Sequence, residues 1–476
     1  MNEQTSPTLL QRTVRNLRSA WNELADTVVD TVRAAQGEGI DPALSDNAAE
    51  RVRAQMRDCL AGTGGEVSAR ARAAALGRTY LALDPTGRER FLRILAADFD
   101  CSREAVDAAA AQLAAAAGAE DRRRAEARLR RALEAPWRRL LTQFNALPEG
   151  VKFLVNLRSE LLELMDSNPD LVALEADLKA LLTSWFDIGF LELKRIDWRS
   201  PAAILEKLIE YEAVHEIHGW DDLHNRLDSD RRCFAFFHPR MPDEPLIFVE
   251  VALTNGLAGD IQALLDPRAP VGDARKADTA IFYSISNAQK GLVGISFGGF
   301  LIKRVVDELT AEFDRLTTFA TLSPIPGFRQ WLTRQWSVDD TLLLLTPADR
   351  RALAEAAGVE NGALAALLAR EDWHRDPALA SVLRRPLTRL CARYLMQEKR
   401  EDGRAADPVA NFHLANGARM EQLNWLADRS PKGLAQSAGL MINYLYKVED
   451  IPRNHEAYVG NGEIPASPAM RALIRS

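Results

Sequence analysis

Three features predict an α+β protein. The chain opens with a long stretch of helix-forming residues, carries a cluster of short apolar and β-branched runs in its middle, and sets a glycine-rich loop between one such run and an amphipathic helix. Its 476 residues and 47% hydrophobic content are enough for more than one core. The expected order is an all-helical bundle domain over residues 1–188, then an α/β domain with helical insertions over residues 189–476.

Residues 8 to about 188 are dense in alanine, leucine, arginine and glutamate, above all in Ala105–Ala117 and Arg122–Leu133, and these are strong helix formers. Gly62-Thr63-Gly64-Gly65, Asp84-Pro85-Thr86-Gly87 and Leu147-Pro148-Glu149-Gly150 divide the pattern into separate helices. Arg122, Arg123, Arg124, Arg128, Arg130 and Arg131 are interleaved with Glu120, Asp121, Glu126 and Glu134, which reads as a solvated helix face. The character changes at FDIGFLELKRIDWRSP, from Phe186 to Pro201, where aromatic and β-branched residues mark the domain boundary.

Beyond it, Cys233–Phe237 and Leu246–Leu253 read as strands, with Pro239, Pro242, Asp243 and Pro245 in the turn. Ala280–Ile285 is a further buried strand, followed by Gly291, Gly294, Gly298 and Gly299. Leu301, Val305, Leu309 and Phe313 then recur every fourth residue beside Ile302 and Val306, which describes an amphipathic helix. Thr317–Leu322 is the next strand and runs into Ser323-Pro324-Ile325-Pro326-Gly327. Residues 329–400 revert to helix. Asp407–Tyr446 carries Asn411, His413, Asn416, Asn424, Asp428, Ser437, Asn443 and Tyr446 among apolar residues, a density of uncharged polar groups unlike a plain packing helix.

A strand, a glycine-rich loop and a helix suit a phosphate-bearing ligand, because glycines let the backbone approach closely and the first-turn N–H groups of a helix have no intrahelical acceptor. Lys303 and Arg304 lie in the next turn. The same loop contains Gly294-Ile295-Ser296-Phe297-Gly298, which fits the G-x-S-x-G nucleophile elbow and would make Ser296 a hydrolase nucleophile.

The formal net charge of -7 gives no reason to expect nucleic acid or an anionic membrane as the main partner. Cys59, Cys101, Cys233 and Cys391 are scattered, with no CxxC pair, and read as reduced thiols. The amino-terminal residues have no continuous apolar core of the signal-peptide kind and no run of about eighteen apolar residues occurs later, so a soluble, cytoplasmic protein is expected. His215, His218 and His224 in AVHEIHGWDDLH do not form H-E-x-x-H, and no metal site is expected.

At FLIKRVVDEL followed by LSPIPGF, and then at DPVANFHLANGA, NWLAD and NYLY, the sequence resembles the malonyl-CoA decarboxylase family; WRSP, RRCF, EPLIFVEVALT, TAIFYSIS and RLCARYL extend the likeness in order from about Phe186 to Tyr458. The resemblance implies an amino-terminal helical oligomerisation domain, a homotetramer, and a catalytic domain of the GNAT acyltransferase fold whose strand, loop and helix hold the CoA pyrophosphate. It places the catalytic serine on Ser323, the histidine on His413 and the tyrosine on Tyr446, and the CoA loop on Val293, Gly294, Ile295, Ser296, Phe297, Gly298 and Gly299. One departure is Ser296, where animal members carry a glutamate.

The implied reaction converts malonyl-CoA to acetyl-CoA and CO2 through an enolate protonated by a histidine. The thioester carbonyl is its own electron sink, so no cofactor is expected. The protein must stabilise charge on that oxygen, desolvate the carboxylate and deliver a proton to carbon. The alternatives are a GNAT-type acyltransferase on the same CoA loop, a serine hydrolase or thioesterase acting through Ser296, and a non-catalytic scaffold.

Overall fold

The computed structural model describes residues 15, 17–21, 40–62, 65–186, 188–295, 300–336 and 345–475. The helical reading of residues 8–14, 16 and 22–39, part of the break at Thr63-Gly64, and loop residues 296–299 lie outside them. Packing divides the chain into two compact units, the first of Met1–Leu191 with His238–Glu244 and Gln289–Ser296, the second of Glu192–Phe237, Pro245–Ala288 and Phe297–Ser476. The architecture is α+β, as the sequence predicts.

The first unit is helical, with helices Asp46–Ala61, Glu66–Ala82, Pro85–Asp98, Arg103–Ala115, Ala119–Ala132, Pro136–Asn145, Gly150–Leu164 and Val172–Trp185. Its sequence breaks act as caps. Asp84 accepts a hydrogen bond from Gly87 N at 2.8 Å with Pro85 in the first turn, which starts the third of these helices. Aromatic rings fill the interior: Phe153 lies 5.0 Å from both Trp21 and Phe144 and 5.6 Å from Tyr80, centroid to centroid. On the helix Ala119–Ala132, Arg122 pairs with Glu126 and Arg124 with Glu120 on an exposed face.

The second unit is built on one sheet. Its strands are β1 (Glu192–Ile196), β2 (Arg231–Phe237), β3 (Ile247–Thr254), β4 (Thr279–Asn287), β5 (Thr318–Thr321), β6 (Ser323–Pro324), β7 (Arg419–Asn424) and β8 (Met441–Leu445), in the order β1-β2-β3-β4-β5-β8-β6 with β7 on β8. The β4–β5 pair is parallel and the others are antiparallel. The crossover from β4 to β5 carries the helix Phe300–Glu312, which buries Leu301, Ile302, Val305, Val306 and Leu309 as its four-residue spacing predicts. Arg304 on this helix turns its guanidinium over the Phe236 ring, 5.6 Å from the centroid.

β5 and β6 continue one line of chain along β8. Ala320 pairs with Leu445 and Ser323 with Ile442 in one register, and the ladder lapses at Thr321 and Leu322. Side chains take over in that gap. The Tyr444 N–H donates to the Thr321 hydroxyl oxygen at 3.1 Å, and Asn443 Nδ2 donates to the Thr321 carbonyl at 2.6 Å.

Candidate functional site

Ser323, His413 and Tyr446 are far apart in sequence and meet in the second unit. Ser323 heads β6, Tyr446 follows β8, and His413 sits in the last turn of the helix Pro408–Ala415. That helix starts where the sequence places a cap and a proline. The Asp407 carboxylate, fully buried, accepts from the N–H groups of Val409 and Ala410 at 3.0 Å each and from Gly327 N at 3.3 Å. Burial pushes the Asp407 carboxyl up, and these N–H donors oppose the rise.

The hydrogen bonds form one chain. Ser323 Oγ donates to Thr321 Oγ1 at 2.7 Å, as residues two apart on one strand face can. A serine hydroxyl has a single proton, so the 3.1 Å contact with His413 Nε2 runs from Nε2–H to the serine oxygen. Nδ1 then accepts from the Tyr446 hydroxyl at 2.8 Å. The imidazole is stacked on Tyr444, with centroids 4.5 Å apart and planes 25° apart, which fixes its orientation.

All three side chains are buried. Ser323 is 5% exposed, His413 3% and Tyr446 2%. Burial pushes the imidazole down to about 3, so His413 is neutral at pH 7, and it raises the Tyr446 phenol well above its ordinary value. The hydrogen bonds of this neutral imidazole set its tautomer. Such a group can still give its N–H to a strongly basic centre and take another proton at Nδ1.

Asn443, with no exposed surface, ties the site to the sheet. Besides its bond to Thr321 it donates to the Ala258 carbonyl at 3.0 Å and accepts from Asn424 Nδ2 at 2.7 Å. These contacts account for part of the polar density in the last segment. The sequence reading gave no role to Thr321 or Tyr444. The signal for Thr321 was the alternation Thr321-Leu322-Ser323, which puts both hydroxyls on one face of a strand.

The loop residues before Ser296 belong to the first unit. Val293, Gly294 and Ile295 follow a single turn, Lys290–Leu292, in the segment that packs with the helical unit. Val293 is exposed and Ile295 buried. Ser296, Phe297, Gly298 and Gly299 lie outside the described residues. Among the described residues no group of three or more His, Cys, Asp or Glu side chains gathers as a metal site, and no helix is long and apolar enough to cross a membrane. The four cysteines are free thiols.

Comparison with known proteins gives a consistent result. Residues 189–476 match the malonyl-CoA decarboxylase C-terminal domain, and residues 99–186 match the N-terminal domain of the same family. A mitochondrial malonyl-CoA decarboxylase of Rattus norvegicus is 42% identical over 361 residues, covering 74% of this chain and 73% of that protein. One from Anser anser anser is 39% identical over 419 residues, covering 85% and 83%. The crystal structure of malonyl-CoA decarboxylase from Rhodopseudomonas palustris superposes with a TM-score of 0.82 at 45% identity, covering 89% of this chain and 99% of that one.

Proposed function

The chain belongs to the malonyl-CoA decarboxylase family, and from that premise we propose how its residues carry the reaction. The enzyme is a carboxy-lyase that turns malonyl-CoA into acetyl-CoA and CO2. Its catalytic residues are Ser323, His413 and Tyr446, and the observation that carries this reading is their continuous, buried hydrogen-bonded chain.

In the first step the electron pair of the breaking C–C bond passes to the thioester, giving CO2 and an enolate. A carboxylate stripped of water among neutral rings is destabilised relative to the delocalised enolate, and a donor at the thioester oxygen favours the same step. In the second step Ser323 hands its hydroxyl proton to carbon, takes the Nε2 proton of His413, and His413 takes the Tyr446 proton at Nδ1. The histidine is the proton reservoir and Ser323 the atom that delivers. One negative charge travels from the malonyl carboxylate to the enolate and then to the tyrosine oxygen, where a solvent proton restores the phenol; return of the imidazole proton from Nδ1 to Nε2 then resets the chain. The raised Tyr446 phenol favours that uptake of a solvent proton.

The CoA phosphates are assigned to the loop Val293, Gly294, Ile295, Ser296, Phe297, Gly298 and Gly299, in the manner of a GNAT-like domain; the parallel β4–β5 pair with its crossover helix supports this. The helical domain up to residue 188 builds a homotetramer, supported by its amphipathic helices. A cytoplasmic enzyme is proposed on the strength of four free thiols, although the rat and goose relatives are mitochondrial. The hydrolase alternative is disfavoured by His413, both of whose ring nitrogens are engaged by Ser323 and Tyr446, leaving no base there for Ser296.

The test is to mix the enzyme with malonyl-CoA alone and follow CO2 and free thiol together. CO2 without free CoA is expected. Ser323→Ala and His413→Ala should each lower kcat by roughly a hundredfold or more while malonyl-CoA still binds. Ser296→Ala should cost much less. The reverse ranking of the serines, with release of free CoA, would overturn the assignment.

A further inference from the structure

We propose that Lys179, a residue of the helical unit, is a binding residue for the diphosphate of CoA. The inference rests on the reading that the loop beginning at Val293 holds the CoA phosphates, and adds a cation from a helix remote in sequence.

The loop stem is mounted on the helix Gly150–Leu164. A Cβ on Gly291 would lie 1.8 Å from the Val155 carbonyl oxygen, so backbone meets backbone and no side chain fits. Arg158, almost wholly buried, donates Nη1 to the Gly291 carbonyl at 2.6 Å and directs Nε and Nη2 at Glu175 at 2.9 and 2.7 Å. Lys152 Nζ donates to Gln289 Oε1 at 2.7 Å and pairs with Glu244 at 3.2 Å. Each buried cation at the stem is therefore matched by a carboxylate.

Lys179 is not. It is half-buried on the helix Val172–Trp185, and among the described residues no carboxylate pairs with it. Its ammonium stands at Gly294, close enough that a Cβ there would come within 3.1 Å of Nζ. Gly294 has φ of 74°, a left-handed conformation that suits glycine. The neighbouring N–H groups of Val293 and Ile295 are used by the carbonyls of Lys290 and Leu292 at 3.1 Å each, while that of Gly294 has no acceptor among the described residues. An unmatched ammonium beside an unused backbone donor, on a glycine that leaves the approach open, is the arrangement a phosphate oxygen completes. Arg158 acts as a positioning residue, since it holds the carbonyl three residues before Gly294.

The experiment measures affinity of the full-length enzyme for three probes: CoA, dephospho-CoA, which lacks only the 3′-phosphate, and acetyl-pantetheine, which carries no phosphate. Lys179→Ala should weaken CoA and dephospho-CoA by the same factor, about tenfold for one charge-assisted contact, and leave acetyl-pantetheine unchanged, while Lys179→Arg keeps most of the affinity. Wild-type affinity of Lys179→Ala for CoA would overturn the proposal. A loss seen with CoA but not with dephospho-CoA would overturn the diphosphate assignment by pointing to the 3′-phosphate. Gly298→Val separates the underlying reading: if it leaves CoA affinity intact, the loop itself is wrongly assigned, whereas weakened Gly298→Val beside unaffected Lys179→Ala removes the lysine alone.

Discussion

Replacing Thr321 by valine tests the direction of the proton chain with little change in volume. The substitution removes the oxygen that accepts both the Ser323 hydroxyl at 2.7 Å and the Tyr444 N–H at 3.1 Å. Both donors are buried, and orphaning the backbone N–H alone costs about 1–3 kcal/mol. The Ser323 hydroxyl then has one neighbour left to donate to, His413 Nε2, which requires the imidazole proton to move to Nδ1 and the Tyr446 hydroxyl to become an acceptor. The relay would be reversed, with no proton at Nε2 to give. We expect kcat to fall by roughly tenfold to a hundredfold, the scale of one lost catalytic donor, with malonyl-CoA affinity retained. Thr321→Ser keeps the oxygen and should restore most of the rate. Steady-state kinetics and thermal unfolding of the three proteins decide the matter. A Thr321→Val enzyme that melts lower yet turns over at the wild-type rate would refute the argument and leave Thr321 with a packing role only.

Four further outcomes are expected. His413, pushed down to about 3 by burial, binds a proton in the unfolded chain near its ordinary 6.5 but not in the folded one. Its contribution therefore lowers stability as pH falls from about 6.5 toward 3 and is constant above; denaturant titrations should show a shallower acid loss for His413→Gln, and identical pH dependence would contradict this. For the same reason kcat should show no His413 inflection from pH 7 to 8. Asp407→Ala removes the cap of the histidine-bearing helix and should cost about 1–2 kcal/mol with a loss of rate, whereas Asp407→Asn keeps a capping oxygen and most of the stability, as calorimetry and kinetics can check. A chain starting near Ile188 should lose the association state of the full-length protein, and sedimentation showing the full-length protein as a monomer would end the tetramer proposal.

The parts of the fold that follow simple apolar patterns were legible in the letters. Cys233–Phe237, Leu246–Leu253, Ala280–Ile285 and Thr317–Leu322 all fall on strands, and the four-residue spacing from Leu301 gives the crossover helix. β7 and β8 escaped because Gln422, Asn424 and Asn443 break the apolar pattern: these side chains join the polar network beside Thr321, while Met420, Met441 and Ile442 are buried. β1 was hidden by Glu192, Lys194 and Arg195 on a sheet edge, where charge is compatible with a strand. The candidate site was not derivable from spacing, since Ser323 and His413 are 90 positions apart and meet only because β8 is inserted beside the β5–β6 line. The family likeness supplied the residues; the tautomer, the neutral imidazole and Thr321 came from the geometry.

The packing of Gln289–Ser296 with the helices bears on how such a protein could be cut or recombined. This stretch is encoded well inside the second half of the gene product, yet Val155, Arg158 and Lys152, which hold it, are encoded in the first. A junction drawn between the halves at the point where the sequence changes character would pair a foreign helical half with a loop shaped for another surface. Shuffled chimeras joined there should fold as separate pieces and still bind CoA poorly, unless residues 289–296 travel with the helices that seat them. The two halves are thus obliged to vary together, and a substitution at Val155 or Arg158 is expected to be matched in the loop before it is tolerated.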